Sequence, residues 1–171
     1  MKAERPAKPK GRKTKRDVLL AVSVIAFIVI LCVTTLPLAQ MIKMGHDYRK
    51  YVDAFTDSLT DARKKGGLTA TWGPYGDFMW RLTNDQGSHL YTVLLDAGMG
   101  KPQKEMPDRE DSLFLTFPDG AVMSLWRTEI TEKSRERDIG LFVRFTSKDG
   151  RVWMYDTDRI DPDKLFESLG G

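Results

Sequence analysis

LFLTFPDGAVMSLW (residues 113–126) and LFVRFTSKDGRVWMY (residues 141–155) are the stretches whose reading decides the fold. Both open on L-F-x-x-F, pass through D-G-x-V and close on an aromatic residue. Alternation of this kind is the mark of a strand with one buried face. It places Leu113, Leu115 and Phe117, and likewise Leu141, Val143 and Phe145, towards a core, with Thr116, Arg144 and Thr146 towards water. Between the strands, Pro118–Asp119–Gly120 and Lys148–Asp149–Gly150 are turn sequences in which glycine supplies the positive φ. Two successive antiparallel hairpins follow. Shared hairpin chemistry explains their likeness as well as an internal duplication would.

Working outward, the segment after residue 67 divides into short apolar runs bounded by turn residues. The candidate strands are Leu68–Trp72, Phe78–Thr83, His89–Leu95, Leu113–Phe117, Ala121–Arg127, Leu141–Thr146 and Val152–Tyr155. WGPYG, NDQG and AGMGKPQKEMPDRED read as connections between the earlier ones. The chain then closes on DPDKLFESLGG, where Asp161 suits an N-cap, Pro162 the first helical position and Gly170 the stop. Before the strands, apolar or small residues recur at Met41, Gly45, Tyr48, Val52, Phe55, Leu59 and Ala62. Spacings of four and three make one helical stripe, and Gly66–Gly67 end it behind the basic Arg63, Lys64 and Lys65. Asp53, Asp57 and Asp61 form a like-charged row beside it. The stripe suits packing on the sheet better than a coiled coil, for which three heptads are short. The expected class is α+β: an amphipathic helix on an antiparallel sheet of about five to seven strands, with a short C-terminal helix.

Upstream of that helix, Val18–Ala39 is a run of 22 residues without a charge. A helix of that length rises about 33 Å, enough for a hydrocarbon core of about 30 Å. Residues 1–16 carry eight Lys or Arg against one Glu, whereas residues 45–171 carry 18 basic and 22 acidic side chains. Positive charge on one flank orients a membrane helix with that flank in the cytoplasm. The sequence therefore predicts a basic tail without fixed structure at 1–16, an uncleaved single-pass signal-anchor at 17–42, a juxtamembrane helix at 43–66 and an extracytoplasmic β-rich domain at 67–171. Lys13, Lys15 and Arg16 are placed to meet anionic headgroups, so membrane lipid is one expected partner. A cleaved signal peptide fits less well, because the apolar run is too long and Pro37 stands where a small residue is needed.

The layout of a membrane helix running into an amphipathic helix and then an antiparallel sheet resembles that of type IV pilins and pseudopilins. The resemblance covers roughly residues 18–128 and implies an assembly subunit of a filament or secretion apparatus. The chain departs from those families at the processing site: Gly11 is followed by the charged RKTKRD rather than by an apolar stretch.

The remaining residues narrow the function. The acidic balance of residues 45–171 speaks against a nucleic-acid partner. Cys32 is the one cysteine and lies in the apolar run, so the domain has no disulfide and no thiolate chemistry. Its neighbour Leu31 does not suit lipid attachment. His46 and His89 form no metal-binding or nucleophile–base spacing, and no catalytic or phosphate-binding motif occurs. No catalytic residue, cofactor, metal ligand or small-molecule substrate is nominated. Asp156, Asp158, Asp161 and Asp163 lack the glycine and terminal glutamate of an EF-hand calcium loop. Aromatics cluster instead: Trp72, Tyr75 and Trp80 surround the WGPYG loop and are the candidate partner-binding residues. The expectation is a non-catalytic interaction module with a protein partner or self-association, a subunit or accessory factor of an envelope-associated complex. A ligand-sensing ectodomain acting through a partner is the further alternative.

Overall fold

The computed structural model describes residues 15–73, 76, 78–107, 112–129 and 139–170, and the side chains of 15–21 and 28–42 lie outside that description. Both hairpins form. β1 (Thr69–Trp72), β2 (Met79–Arg81), β3 (Lys101–Pro102), β4 (Ser112–Thr116), β5 (Val122–Glu129), β6 (Ile139–Thr146) and β7 (Val152–Thr157) make one antiparallel sheet in the order β2-β1-β4-β5-β6-β7-β3. The two hairpin turns have the same bonding. Phe117 N–H donates to Ala121 O and Gly120 N–H to Phe117 O, and Ser147, Arg151 and Gly150 repeat the pattern. Gly120 and Gly150 have φ of 90° and 80°, the left-handed region that a side chain resists.

The helices are α1 (Lys15–Lys65), α2 (Asn84–Ala97) and α3 (Pro162–Ser168). The chain divides into two units, residues 1–46 and 47–171. Within the second unit all three helices lie on one face of the sheet. The part of α1 that belongs to it runs from Tyr51, in edge contact with Tyr155 and Trp153 of β7, past Phe55 on Phe117 and Phe145, to Ser58. Ser58 donates to Asp119 of the first hairpin turn at 2.8 Å. From Tyr48 to Ala62 the helical stripe packs on the sheet as expected, with one addition, the wholly buried Tyr51; Gly45 is exposed and the side chain of Met41 lies outside the described residues. Leu113, Leu115, Phe117, Leu141, Val143 and Phe145 all turn towards the helices and are buried.

One expected strand is a helix. His89–Leu95 lies inside α2, and NDQG is the first turn of that helix rather than a connection. Thr83 accepts from Gln86 N–H while Gln86 Oε1 accepts from Thr83 N–H, so both ends of a capping box are closed. Gly87, Leu90, Leu94 and Ala97 are buried at spacings of three, four and three, against α1 and the sheet. Tyr91, Thr92 and Val93 favour a strand locally, but burial of this helical stripe outweighs a propensity difference of a few tenths of a kcal/mol per residue. The seventh strand comes from elsewhere, from Lys101–Pro102 in the connection that sequence reasoning left unassigned.

The face away from the helices is less open than alternation suggests. Thr116 is exposed, but Trp126 and Phe142 are only 4% exposed there and meet edge-to-face at 5.5 Å. Arg144 is half-buried and donates to Met106 Sδ at 3.2 Å, so the chain leaving β3 lies across this face. Among the described residues no helix is long and apolar enough to cross a membrane. Most side chains of Val18–Ala39 lie outside those residues, as do the tail 1–14 and the side chains of Lys15 and Arg16.

Two predictions follow from these contacts. The Tyr51 and Tyr155 hydroxyls are 3.0 Å apart and buried. Burial first, and then the neighbouring Tyr155, holds the Tyr51 phenol well above the usual tyrosine range, and burial also raises Tyr155. Folded phenols with raised pKa contribute their stability in full below the unfolded value of about 10, and lose it as pH rises towards the folded values. Urea unfolding of the full chain in neutral detergent should therefore weaken progressively as pH rises above about 10, with both phenols contributing to the slope. Tyr51→Phe should halve that slope and cost about 1–3 kcal/mol at pH 7 by orphaning the Tyr155 hydroxyl, most of it recovered when Tyr155→Phe is added. Thr83→Ala should cost about 1 kcal/mol in the same titration, by opening the cap of α2.

Candidate aromatic corner at the sheet edge

β1 and β2 form a corner whose aromatic side chains come from a close-packed turn. Gly73 has φ of 68° and donates its N–H to Ser112 O at 2.7 Å, tying the turn to β4. Gly76 lies so close to Trp72 that a Cβ there would fall 2.0 Å from the Trp72 carbonyl oxygen. The turn is thus held at both glycines. Pro74, Tyr75 and Asp77 lie outside the described residues, so the nomination of Tyr75 falls there too.

Trp72 and Trp80 are both half-buried, and both face α3. Trp72 meets the Phe166 ring at 5.4 Å, edge-to-face. Trp80 donates its indole N–H to Leu169 O at 2.8 Å, just past the end of α3. On the same helix, Arg127 pairs with Asp163 at 2.6 Å and lies 5.5 Å from the centre of the Phe166 ring. Gln86 of α2 donates to Ser168 O at 3.3 Å. These contacts dock a seven-residue helix too short to hold itself. Asp161 caps it by accepting from Asp163 and Lys164 N–H.

What the corner shows to solvent is Phe78 and Met79, at 71% and 65% exposure, with Arg81 exposed beside them. Phe78 lies 6.0 Å from Trp80, so the apolar patch is continuous with the buried indole. Neither Phe78 nor Met79 is among the candidate partner-binding residues named from the sequence. The signal was the run FMWR, which alternation alone cannot leave with both Phe78 and Met79 in water unless the strand ends a sheet.

Other chemistry-bearing residues are dispersed. His46 and His89 are exposed. Ser88 donates to Asn84 O and accepts from Arg63, and its neighbour His89 points elsewhere on α2. Asp163 is the ion-pair partner of Arg127, while Asp158 is buried near the start of α3. Among the described residues no group of three or more His, Cys, Asp or Glu side chains is placed to hold a metal ion. A hollow of about 600 Å³ lies between α1 and the hairpin turns and is walled by Asp57, Asp61, Asp119, Lys64, Lys65 and Lys148. Its charges balance, and Asp61 pairs with Lys65 at 3.1 Å. It reads as the solvated seam of a helix lying on two turns.

The corner separates two kinds of aromatic. Trp80→Phe should lower the unfolding free energy by about 1 kcal/mol, because Leu169 O loses its donor, whereas Phe78→Ser should stay within about 0.5 kcal/mol. Urea unfolding checks both. Comparison with protein-family models, with curated proteins and with solved structures returns no match for this chain.

Proposed function

We propose that the chain is a single-pass membrane protein in which Val18–Ala39 is a signal-anchor, residues 1–16 face the cytoplasm and the β-rich domain stands outside. The domain is a non-catalytic interaction module, a subunit or accessory factor of an envelope-associated complex. The observation that carries this reading is the run of 22 uncharged residues directly behind eight basic side chains. A charged side chain at the centre of such a run costs about 2.5–3.5 kcal/mol, so its complete absence over a bilayer's length is informative. Lys13, Lys15 and Arg16 would contact anionic headgroups on the cytoplasmic side.

Two features support a binding role over an assembly role. Tyr51, Phe55 and Ala62 are buried on their own sheet, which leaves that part of α1 without an apolar stripe for a neighbouring helix. The exposed apolar side chains of the domain include Phe78 and Met79 at a sheet edge, where a partner would meet them. A non-catalytic role fits the scatter of histidines and carboxylates.

Topology tests the reading. The chain should remain in membranes washed with carbonate, and protease added outside intact cells should remove the 45–171 domain while sparing an N-terminal tag. Protection of the domain would reverse the orientation. Full recovery in a soluble fraction would end the membrane assignment.

A further inference from the structure

The two edges of the sheet are built differently. At one end, β3 is two residues long and offers Lys101 and Pro102. Gln103 N–H donates inward to Met154 O, so Pro102 occupies the outward position and has no N–H to give. A charge and a proline blunt that edge against further pairing. At the other end β2, three residues long, closes the sheet order; it carries Arg81 but no proline among its residues.

The register of β2 fixes which of its backbone groups are used. Leu82 N–H donates to Leu68 O at 2.8 Å, and Ala70 stands opposite Trp80. On its other side β1 turns to β4, since Gly73 N–H donates to Ser112 O. Bonded and unbonded pairs alternate in an antiparallel ladder. Trp80 and Leu82 therefore face β1, and Met79 and Arg81 direct their N–H and C=O groups away from the sheet. Those groups sit beside the exposed Phe78 and Met79 side chains. The same edge carries a cation. Arg81 is exposed, with its Cγ and Cδ 3.2 Å from the position of a Cβ at Gly67, and no carboxylate pairs with it among the described residues.

Resting on the interaction-module reading above, we infer that β2 is a docking edge that accepts, by strand addition, an extended acidic segment of another protein, with its apolar side chains on the face of Phe78 and its carboxylates on the opposite face, which Met79 and Arg81 share. Main-chain bonds from Met79 and Arg81 supply affinity and the alternate side chains supply selectivity, the division of labour usual in strand addition. A second copy of this chain fits less well, because it would bring another Arg81 to the same edge. A lipid surface fits less well too. It offers no regularly spaced donors and acceptors for the backbone.

The test uses the full chain in neutral detergent micelles and a fluorescent twelve-residue peptide alternating valine and glutamate, with its valine–lysine counterpart as control. Saturable binding of the glutamate peptide is expected, with the lysine peptide about ten-fold weaker or more. Met79→Pro removes an outward N–H together with the exposed Met79 side chain and should weaken binding about ten-fold with unchanged thermal unfolding, and Arg81→Glu should do the same through charge. If Met79→Pro fails to fold, Arg81→Glu and Phe78→Ser decide. Absence of saturable binding, or binding that these substitutions leave unmoved, overturns the inference. So does a dimer that Arg81→Glu or Phe78→Ser dissociates, which assigns the edge to a second copy. Displacement of the peptide by phosphatidylglycerol added to the micelles assigns the edge to lipid and overturns it as well. A stable complex recovered from membranes that survives Met79→Pro and Arg81→Glu removes the docking edge and leaves the module reading intact. Loss of membrane retention removes the membrane assignment and leaves peptide binding at β2 untouched.

Discussion

The contact between Tyr51 and the far end of the sheet is the constraint on which the domain depends. Tyr51 has its ring among Phe55, Phe145, Trp153 and Tyr155 and its hydroxyl on the Tyr155 hydroxyl. An aromatic pair adds about 0.5–1.5 kcal/mol beyond its buried area. A cluster of five rings therefore outweighs the exposed ion pairs along the same helix, which are worth well under 1 kcal/mol each. The hydroxyl bond adds direction to that attraction. Rings alone would tolerate sliding of the helix along the sheet, whereas two buried phenols must meet each other or remain unsatisfied. The position of α1 across β7, β6 and β4 follows, and with it the approach of Ser58 to Asp119 at the hairpin turn.

Placement of α1 in turn decides where α2 can lie. Tyr48 donates to Leu95 O, the Tyr91 hydroxyl meets the Thr56 hydroxyl, and Gly87 sits so near Leu59 that a Cβ would be 3.3 Å from it. These three contacts run in opposite chain directions on the two helices, so α2 is antiparallel to α1. The sheet then has one helical layer, and α3 fills the remaining end through Phe166 and Leu169. Each helix is positioned by side chains that point off an element already in place.

What the sequence made legible follows from the range of the interactions. The hairpins at 113–126 and 141–155 are specified by neighbours a few residues apart, with alternation and a D-G turn agreeing, and they appear in register as read. The α1 stripe and the Asp161–Pro162 start of α3 are local in the same sense. His89–Leu95 failed because two local signals conflict there. Tyr91, Thr92 and Val93 favour extension, while Thr83 with Gln86 and the stripe Gly87, Leu90, Leu94, Ala97 specify a capped helix. The capping box was present in the letters and was read as a turn. Lys101–Pro102 was not legible at all, since two residues have no period and their pairing is created by β7. Of the site, the aromatics around WGPYG were visible, but which of them α3 would cover was not. Trp72 and Trp80 face inward because Phe166 and the Leu169 carbonyl lie 90 residues or so further along the chain.

Long-range covering also explains why the informative residues of the corner are the less conspicuous ones. A tryptophan is the obvious candidate for an interface, because it combines large area with a polar handle. Here the handle of Trp80 is engaged by a main-chain carbonyl, and the ring is held beneath a short helix that depends on it. A partner that took Trp80 would have to displace α3 and forfeit the Phe166 packing and the Arg127 contacts as well. Phe78 and Met79 ask for no such rearrangement. Met79 opens the edge strand and Phe78 precedes it, and the outward backbone groups of Met79 and Arg81 lie between the two faces they occupy. Recognition at this edge is therefore better suited to a chain that arrives extended and adds to the sheet than to one that opens the corner.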